Sequence, residues 1–290
     1  MKLLNIIFIM FCFVVVSCNN DDGKIEPDDK QNDTIAQDTI DENDTTEIVY
    51  FEDEFFYELG STTVSIYRIQ HGDKPITYYN MHENETTSIE AGDEVILDNQ
   101  GRFIRLKSEG NRNVTFTING ENYTFDPNRI YTEHGAEATL KSLGNYSEDA
   151  RDITYDFAMQ VVDTFILDVK LVVTLHNNSA GGYSARSYLP GGSYAADNAT
   201  VYIKDGTDPD DFFYVTEQRF YDYLTEKGYN VVLQNNDEVV DDGSLSVFCG
   251  YNDISYINVE AQSGHLDEQL EMLDAVTALI ADLIDTEEKK

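Results

Sequence analysis

The chain has 290 residues, 41% of them hydrophobic and 26% charged, which is enough for one large domain with a substantial core. Lys and Arg number 19 against 55 Asp and Glu, so the formal net charge is −36. Nucleic acids and anionic membrane surfaces bind basic patches, and a chain this acidic is therefore predicted to bind neither directly.

The first residues have the pattern of an export signal. Lys2 provides a positive start, residues 3–16 are almost entirely apolar, and Ser17 stands directly before Cys18. This resembles the lipobox of bacterial lipoproteins. The resemblance implies that residues 1–17 are a signal peptide and that Cys18 is lipidated, with the membrane contacted only through the lipid. The alternative is an ordinary secretory signal that ends near Ser17. Either interpretation takes the protein out of the cytoplasm, and the first predicts a lipid-anchored protein of a bacterial cell envelope, periplasmic or on the outer-membrane surface.

Residues 18–47 are predicted to form an acidic, disordered tether. Residues 19–47 contain 11 acidic and two basic side chains and no aromatic one. Such a segment buries too little apolar surface to offset the entropy that it would lose on ordering. The folded domain is therefore expected over residues 48–290.

The first half of that domain contains strand-like runs of β-branched and aromatic residues. The predicted strands are Thr62–Ile69, Ile76–Asn80, Phe103–Lys107, Val114–Ile118 and Asn122–Phe125. Gly120-Glu121, between the last two, indicates a hairpin turn. A helix is predicted over Glu148–Phe165, because apolar residues recur there every four positions from Ile153 onward.

The second half alternates between strands and helices. Lys170–Leu175 is a short apolar run typical of a buried parallel strand. Helices are predicted near Gln218–Lys227 and over Leu266–Ile284, and strands over Asn230–Leu233, Leu245–Cys249 and Ser255–Val259. Cys249, alone in the rest of the chain after residue 18, is interpreted as a buried structural thiol. The pattern predicts a single α/β domain with a mixed, mostly parallel central sheet flanked by helices.

Polar residues that could form a site follow three of the predicted strands. His82 and Glu85 are three residues apart, and a turn after a strand can aim such a pair at one metal ion. His176 ends another strand, and residues 126–129 (Asp-Pro-Asn-Arg) end a third. Each motif alone also fits a surface turn or a structural histidine. Open α/β sheets, however, collect their site residues at the carboxyl ends of strands.

Together these motifs resemble the zinc carboxypeptidase superfamily, close to its branch of succinylglutamate desuccinylases and aspartoacylases. That family has H-x-x-E, then D-x-N-R about forty residues later, then a third ligand His after a strand and a later catalytic Glu. The order here is His82-x-x-Glu85, Asp126-x-Asn128-Arg129, His176 and Glu260. The resemblance covers residues 78–283 and implies a zinc carboxypeptidase-like fold.

The resemblance also implies a metal centre. His82, Glu85 and His176 would bind one zinc ion (Zn²⁺) per chain and leave a fourth position to water. Glu260 would take a proton from that water and later pass it to the leaving amine. Asp126 would accept a hydrogen bond from the far nitrogen of His82 and so fix its tautomer.

The remaining motif residues would bind substrate. Asn128 and Arg129 would hold a substrate carboxylate, which the guanidinium fork fits well. Arg112 is close to the position of the family's carbonyl-polarising Arg, and the alternative is an ordinary strand Arg. Pro127 replaces the Leu that is usual in the deacylases and is familiar among carboxypeptidases.

Two assignments stay open at this level. The proton-donating Tyr of the family could correspond to Tyr183, Tyr188, Tyr251 or Tyr256. Glu268 and Glu271 are alternatives to Glu260 as the base, although acidic residues are expected on the polar face of the final helix.

The predicted function is a zinc metallohydrolase that cuts an amide bond next to a free carboxylate. The substrate would be a small peptide or acyl amino acid, and the enzyme either a carboxypeptidase acting on peptides or cell-wall stem peptides or an N-acyl amino acid deacylase. The alternative is a non-catalytic surface lipoprotein that uses the same fold for binding. The ligand triad together with Glu260 favours the enzyme, because a binding module has no need of a base beside an open metal site.

Overall fold

The structure is a computed structural model that describes residues 48–284. The predicted signal peptide, Cys18 and the tether lie outside the described residues, as do residues 285–290. None of the helices within residues 48–284 is long and apolar enough to cross a bilayer.

The described residues form eleven strands in chain order. They are β1 (Tyr50–Leu59), β2 (Thr62–His71), β3 (Ile76–Asn80), β4 (Gly101–Lys107), β5 (Val114–Ile118), β6 (Glu121–Phe125), β7 (Leu171–Asn178), β8 (Thr200–Tyr202), β9 (Phe212–Val215), β10 (Val231–Leu233) and β11 (Tyr256–Gln262). Nine of them make one sheet in the order β1-β2-β4-β3-β7-β11-β9-β10-β8, and β5 and β6 form a separate hairpin.

The sheet is parallel in its centre and antiparallel toward both edges. Strands β4, β3, β7 and β11 run side by side in one direction, whereas β1, β2 and β8 are antiparallel to their neighbours. Strand β3 is buried along its whole length, as parallel strands covered on both faces must be. The prediction of a single α/β domain with a mixed, mostly parallel central sheet is confirmed.

Six α-helices cover the sheet. They are α1 (Thr86–Asp98), α2 (Glu133–Leu143), α3 (Glu148–Phe165), α4 (Gln218–Glu226), α5 (Leu245–Tyr251) and α6 (Leu266–Leu279), the last continued by a π-helical turn over Ile280–Ile284. Two apolar clusters form the core. One contains residues of α2, α3, α5 and the hairpin, and the other contains residues of α1, α4 and α6.

Alternate residues of the central strands enter the two clusters. In β7, Val172 belongs to the first cluster while Leu171 and Val173 belong to the second. In β11, Tyr256 belongs to the first cluster and Ile257 to the second. The even-numbered side chains of these two strands therefore share one face of the sheet.

Several predicted elements have the bounds that the sequence indicated. The strands Ile76–Asn80 and Val114–Ile118 and the helix Glu148–Phe165 match residue for residue. The hairpin turn lies one residue earlier than predicted, at Asn119-Gly120, and both residues have positive φ (52° and 86°). An Asn-Gly pair is the usual solution for such a turn.

The strand predicted over Leu245–Cys249 is wrong, because these residues begin α5. Ser244 caps this helix, its side chain accepting a hydrogen bond from Val247 N at 3.4 Å. A short apolar run does not by itself distinguish a strand from a buried helix. Cys249 is buried as expected, and burial raises the pKa of its thiol.

Candidate metal centre and active site

Three neighbouring strands bring four of the predicted site residues, His82, Glu85, His176 and Glu260, to one edge of the sheet. Residues 126–129 do not come from a strand of this sheet, because they follow β6 of the separate hairpin. β3, β7 and β11 are parallel, so their carboxyl ends meet. His82 follows the end of β3, and His176 lies near the carboxyl end of β7. Glu260 is paired with His176 in the β7–β11 register. Glu85 is the residue directly before α1, and in the tight turn that leads to it the Glu85 N–H donates to the His82 carbonyl at 3.0 Å.

His82, Glu85 and His176 converge on one point. His82 Nδ1 lies 2.9 Å from Glu85 Oε1, and His176 Nδ1 lies 3.0 Å from Glu85 Oε2. The two Nδ1 atoms are 3.2 Å apart. All three side chains are buried, at 0–6% exposure.

The residues present fit a zinc ion. Tetrahedral bonds of 2.0–2.1 Å place neighbouring donor atoms about 3.3 Å apart, close to the distances found here. Two facing imidazole nitrogens and a buried carboxylate cannot all satisfy one another without a proton or a cation between them. Two His and one Glu are also the donor types that zinc prefers.

The charges of the cluster are mutually dependent. Burial alone would raise the pKa of Glu85, but the two imidazoles hold it well below its usual range. Burial lowers the pKa of His176. Burial also opposes protonation of His82, yet Glu85 and Asp126 together raise its pKa.

Asp126 fixes the orientation of His82. His82 Nε2 lies 2.8 Å from Asp126 Oδ1, so the Nε2–H donates and Nδ1 keeps its lone pair for a metal. Asp126 owes its position to an Asp-Pro turn, in which its side chain also accepts a hydrogen bond from Asn128 N at 2.9 Å. Although burial opposes it, His82 holds the pKa of Asp126 well below its usual range.

Arg112 belongs to the site and is not an ordinary strand residue. It lies in the loop before β5, and its side chain donates to Glu85 Oε1 at 2.6 Å and to Asp126 Oδ2 at 3.3 Å. The side chain is 46% exposed and lines the cavity beside the cluster.

Asn128 and Arg129 also line the cavity, but both have partners of their own. Asn128 Oδ1 accepts a hydrogen bond from Leu245 N at 3.1 Å and so tethers the start of α5. Arg129 Nε lies 3.5 Å from Asp242 Oδ2. A substrate carboxylate would therefore have to compete with Asp242 for the guanidinium group.

Glu260 is a buried carboxylate in the wall of the same cavity, with 4% exposure. Burial, reinforced by the charge of Glu85, raises its pKa from 4.5 to about 8. The alternatives Glu268 and Glu271 are exposed on α6 and do not line the cavity. The structure thus places Glu260, and neither alternative, in the wall of the cavity beside His82, Glu85 and His176.

Two polar residues that no sequence motif indicated, Thr174 and Asn258, lie on the same face of the sheet as the candidate proton donor Tyr256. Tyr256, Thr174 and Asn258 are buried and form a hydrogen-bond chain that ends on Glu260. The available signal was alternation. In β11 the residues Tyr256, Asn258 and Glu260 interleave with the apolar Ile257 and Val259.

A cavity of about 480 Å³ opens over the cluster. Part of its wall is aromatic and is formed by Tyr183, Tyr188, Tyr194, Tyr214 and Tyr256. The Gly-, Ser- and Tyr-rich segment 181–194 therefore borders the cavity. Tyr251, the fourth candidate proton donor, lies outside its lining and is 51% exposed.

A second group of possible metal ligands lies elsewhere, at Asp208, Asp211 and His265. His265 Nδ1 is 2.9 Å from Asp211 Oδ2, and Asp208 is exposed. The Asp211–His265 contact is explained as an ion pair at the surface. A substitution in this group can therefore serve as a control in tests of metal binding by the buried cluster.

No protein-family model and no curated protein matches the sequence. Solved structures resemble the fold at low identity. An aspartoacylase family protein from Mesorhizobium loti is 12% identical, with 83% of this chain and 69% of that chain covered and a TM-score of 0.41. Thrombin activatable fibrinolysis inhibitor is 9% identical, with 81% of this chain and 72% of that chain covered and a TM-score of 0.44. The product-bound cell shape determinant protein Csd4 from Helicobacter pylori is 12% identical, with 81% of this chain covered and a TM-score of 0.43. The match covers 55% of that protein, so the chain spans about half of its length.

The resemblance to the zinc carboxypeptidase superfamily, near its aspartoacylase and desuccinylase branch, rests on the sequence motifs alone. At such identities and TM-scores the similarity carries no conclusion about activity. Function therefore has to follow from the residues of the site.

Proposed function

We propose that the protein is a zinc-dependent hydrolase that cuts an amide bond next to a free carboxylate. One observation carries the proposal. The Nδ1 atoms of His82 and His176 and the carboxylate of Glu85 meet within 3.2 Å of one another in the wall of a cavity that also contains Glu260. Three protein ligands with room beside them are typical of a catalytic zinc site, whereas structural sites are closed.

Each residue of the site has a chemical task in this proposal. A zinc ion held by the cluster would polarise the substrate carbonyl and lower the pKa of a water molecule. The charge of a zinc ion in the cluster would lower the pKa of Glu260 from its metal-free value of about 8 and so favour the ionised base. Glu260 then accepts a proton from the attacking water at Oε1, because Oε2 is already engaged by Asn258. It then passes that proton to the leaving nitrogen.

The two arginines bind the substrate. Arg129, with Asn128 beside it, holds the free carboxylate of the substrate in place of Asp242. Arg112 turns from Glu85 to the scissile carbonyl oxygen and stabilises the charge that develops there. Its half-exposed side chain allows that movement.

The alternative function is binding without catalysis by a surface lipoprotein of the same fold. Burial of a carboxylate with a strongly raised pKa costs stability, and a binding site would gain nothing from Glu260. The enzyme is therefore the better account of this residue.

The experiment uses the zinc-loaded protein and a panel of probes. Dipeptides, muropeptide stem peptides and N-acetyl amino acids, each with a free carboxylate, are assayed for release of an amino acid. We expect wild type to act on at least one class, and Glu260→Gln to keep its zinc while its turnover falls by a factor of roughly 10²–10⁴. Zinc binding without turnover on any member would favour the binding protein.

We further propose that the mature protein is anchored in a bacterial cell envelope through a lipid on Cys18. The support is the apolar run that ends in Ser17-Cys18 and the acidic segment that follows it. The envelope would supply substrates such as cell-wall stem peptides.

A further inference from the structure

Within the described part of the chain, one hydrogen bond holds the Glu260 carboxylate. Its Oε2 accepts a hydrogen bond from Asn258 Nδ2 at 3.1 Å. Among residues 48–284, Asn258 is the only hydrogen-bond donor to this carboxylate, and Oε1 has no partner. A Glu carboxylate rotates easily about its last torsion, so one donor decides which oxygen faces the cavity.

Asn258 is oriented in turn by the neighbouring strand. Thr174 Oγ1 donates to Asn258 Oδ1 at 3.1 Å, and Tyr256 Oη lies 2.6 Å from Thr174 Oγ1. A hydroxyl group has one proton, so Thr174 gives its proton to Asn258 and accepts the proton of Tyr256. The donors therefore run in one direction from Tyr256 to Glu260, and they hold the Asn258 amide with its NH₂ group toward Glu260.

The sheet register explains why this chain can form. In the parallel β7–β11 pair, Asn258 stands opposite Thr174, and Glu260 stands opposite His176. The hydrogen-bond chain thus lies one step along the strands from the metal cluster, on the same face. All of its members are buried, at 6% exposure or less, where an unpaired polar group would be costly.

We propose that Asn258 is a positioning residue for the base, and that Thr174 and Tyr256 hold Asn258 in the orientation it needs. By binding Oε2, Asn258 keeps Oε1 directed at the attacking water. The inference rests on the proposed role of Glu260. Loss of the contact should slow proton transfer and leave substrate binding unchanged, because Asn258 acts through Glu260 alone.

The test is a double-mutant cycle on the zinc-loaded full chain, with the dipeptide or N-acetyl amino acid that wild type cleaves fastest as the probe. We expect Asn258→Leu to lower kcat by about 10- to 100-fold while KM changes by less than about twofold. In a Glu260→Gln background the same substitution should cause no further loss. A purely structural role would instead multiply the two losses.

Thr174 supplies the matched pair of variants. Thr174→Ser keeps the hydroxyl donor and should retain wild-type kcat, whereas Thr174→Val should lower kcat by about 3- to 10-fold. Zinc content and thermal unfolding are measured for every variant, and if Asn258→Leu does not fold, the Thr174 pair decides.

Multiplicative losses in the cycle, or equal kcat for Thr174→Ser and Thr174→Val, would overturn the positioning role. Normal turnover in Glu260→Gln alone would overturn the proposed function instead. The two failures are therefore distinguishable.

Discussion

Two buried carboxylates of the site have pKa values that are shifted in opposite directions. Glu85 lies between two imidazoles, which hold its pKa low against the effect of burial. Glu260 accepts a hydrogen bond from the neutral amide of Asn258, and burial and the charge of Glu85 raise its pKa to about 8. Environments that separate the pKa values of neighbouring carboxylates are how enzymes assign a ligand and a base from the same residue type.

This difference predicts how stability depends on pH in the metal-free protein. Glu260 titrates near 4.5 in the unfolded chain and near 8 in the folded one. Between these values the folded state holds a proton that the unfolded state has lost, so the contribution of Glu260 to the free energy of unfolding falls as pH rises, by up to about 5 kcal/mol. Urea unfolding with a chelator at pH 5 and pH 8 measures this change.

Glu260→Gln is the control for that prediction. Gln does not ionise, so the variant should lose less stability than wild type between pH 5 and pH 8, while the other titrating groups contribute equally to both proteins. The same pH dependence in the two proteins would show that Glu260 is ionised at neutral pH in the metal-free fold.

The Arg129–Asp242 pair leads to a second prediction at this scale. Arg129→Ala should lower kcat/KM for a free-acid substrate by about 10- to 100-fold, since it removes a charge-assisted contact, and should change the amidated analogue little. Asp242→Asn should do the reverse and lower KM for the free acid, because the competing charge is gone.

The control for both variants is Arg151→Ala, which removes an arginine paired with Asp152 on the surface of α3. Kinetics on the acid and the amide for all four proteins provide the measurement. An unchanged preference for the acid in Arg129→Ala would remove Arg129 from the substrate site.

At the scale of elements, the sequence predicted the structure best where the spacing of apolar residues indicated a strand and a site residue stood near its end. β3, β7 and β11 are uniform or alternating apolar runs, and a site residue follows β3 or lies near the carboxyl end of β7 and of β11. The carboxyl-end rule then placed His82, His176 and Glu260 together. Helix α3 was predictable because its apolar stripe and its cap at Ser147 agree.

Other elements could not be predicted for identifiable reasons. Strand β1 lies at the edge of the sheet and is largely exposed, so it lacks a clear apolar alternation. Strands β8 and β9 are three and four residues long. The Thr174–Asn258 contact depends on cross-strand register, and the Arg129–Asp242 contact on a loop, neither of which is visible in local sequence.

A close approach between α2 and the loop before α5 provides a prediction for these elements. A Cβ on Gly135 would lie 2.2 Å from Gly243 Cα and 2.8 Å from the Arg129 carbonyl oxygen, and backbone atoms cannot move aside cheaply. Gly135→Ala should therefore lower the free energy of unfolding by about 1–3 kcal/mol.

Urea unfolding checks this value, with His134→Ala, an exposed neighbour on α2, as the control. The control should stay within about 0.5 kcal/mol of wild type. Gly135→Ala with wild-type stability would mean that the loop carrying Asp242 is not held by this contact.

For the whole molecule, the excess of acidic residues bears on where the protein can act. A formal net charge of −36 gives no net attraction to anionic lipid, so the proposed lipid on Cys18 would provide the contact with the membrane. Cys18→Ala should therefore release the protein from the membrane fraction. Fractionation of cells that produce wild type or the variant, followed by a salt wash, measures this. A variant that stays in the membrane fraction would contradict the lipid anchor.

The metal centre is the claim on which the remaining conclusions depend, and zinc content tests it most directly. Elemental analysis of the purified protein should find about one zinc per chain in wild type and little in His82→Ala or His176→Ala, because two remaining ligands bind far more weakly. His265→Ala, which disrupts the other group of possible ligands, should keep its zinc. Full zinc in both His82→Ala and His176→Ala, or its loss in His265→Ala alone, would contradict a metal centre formed by His82, Glu85 and His176.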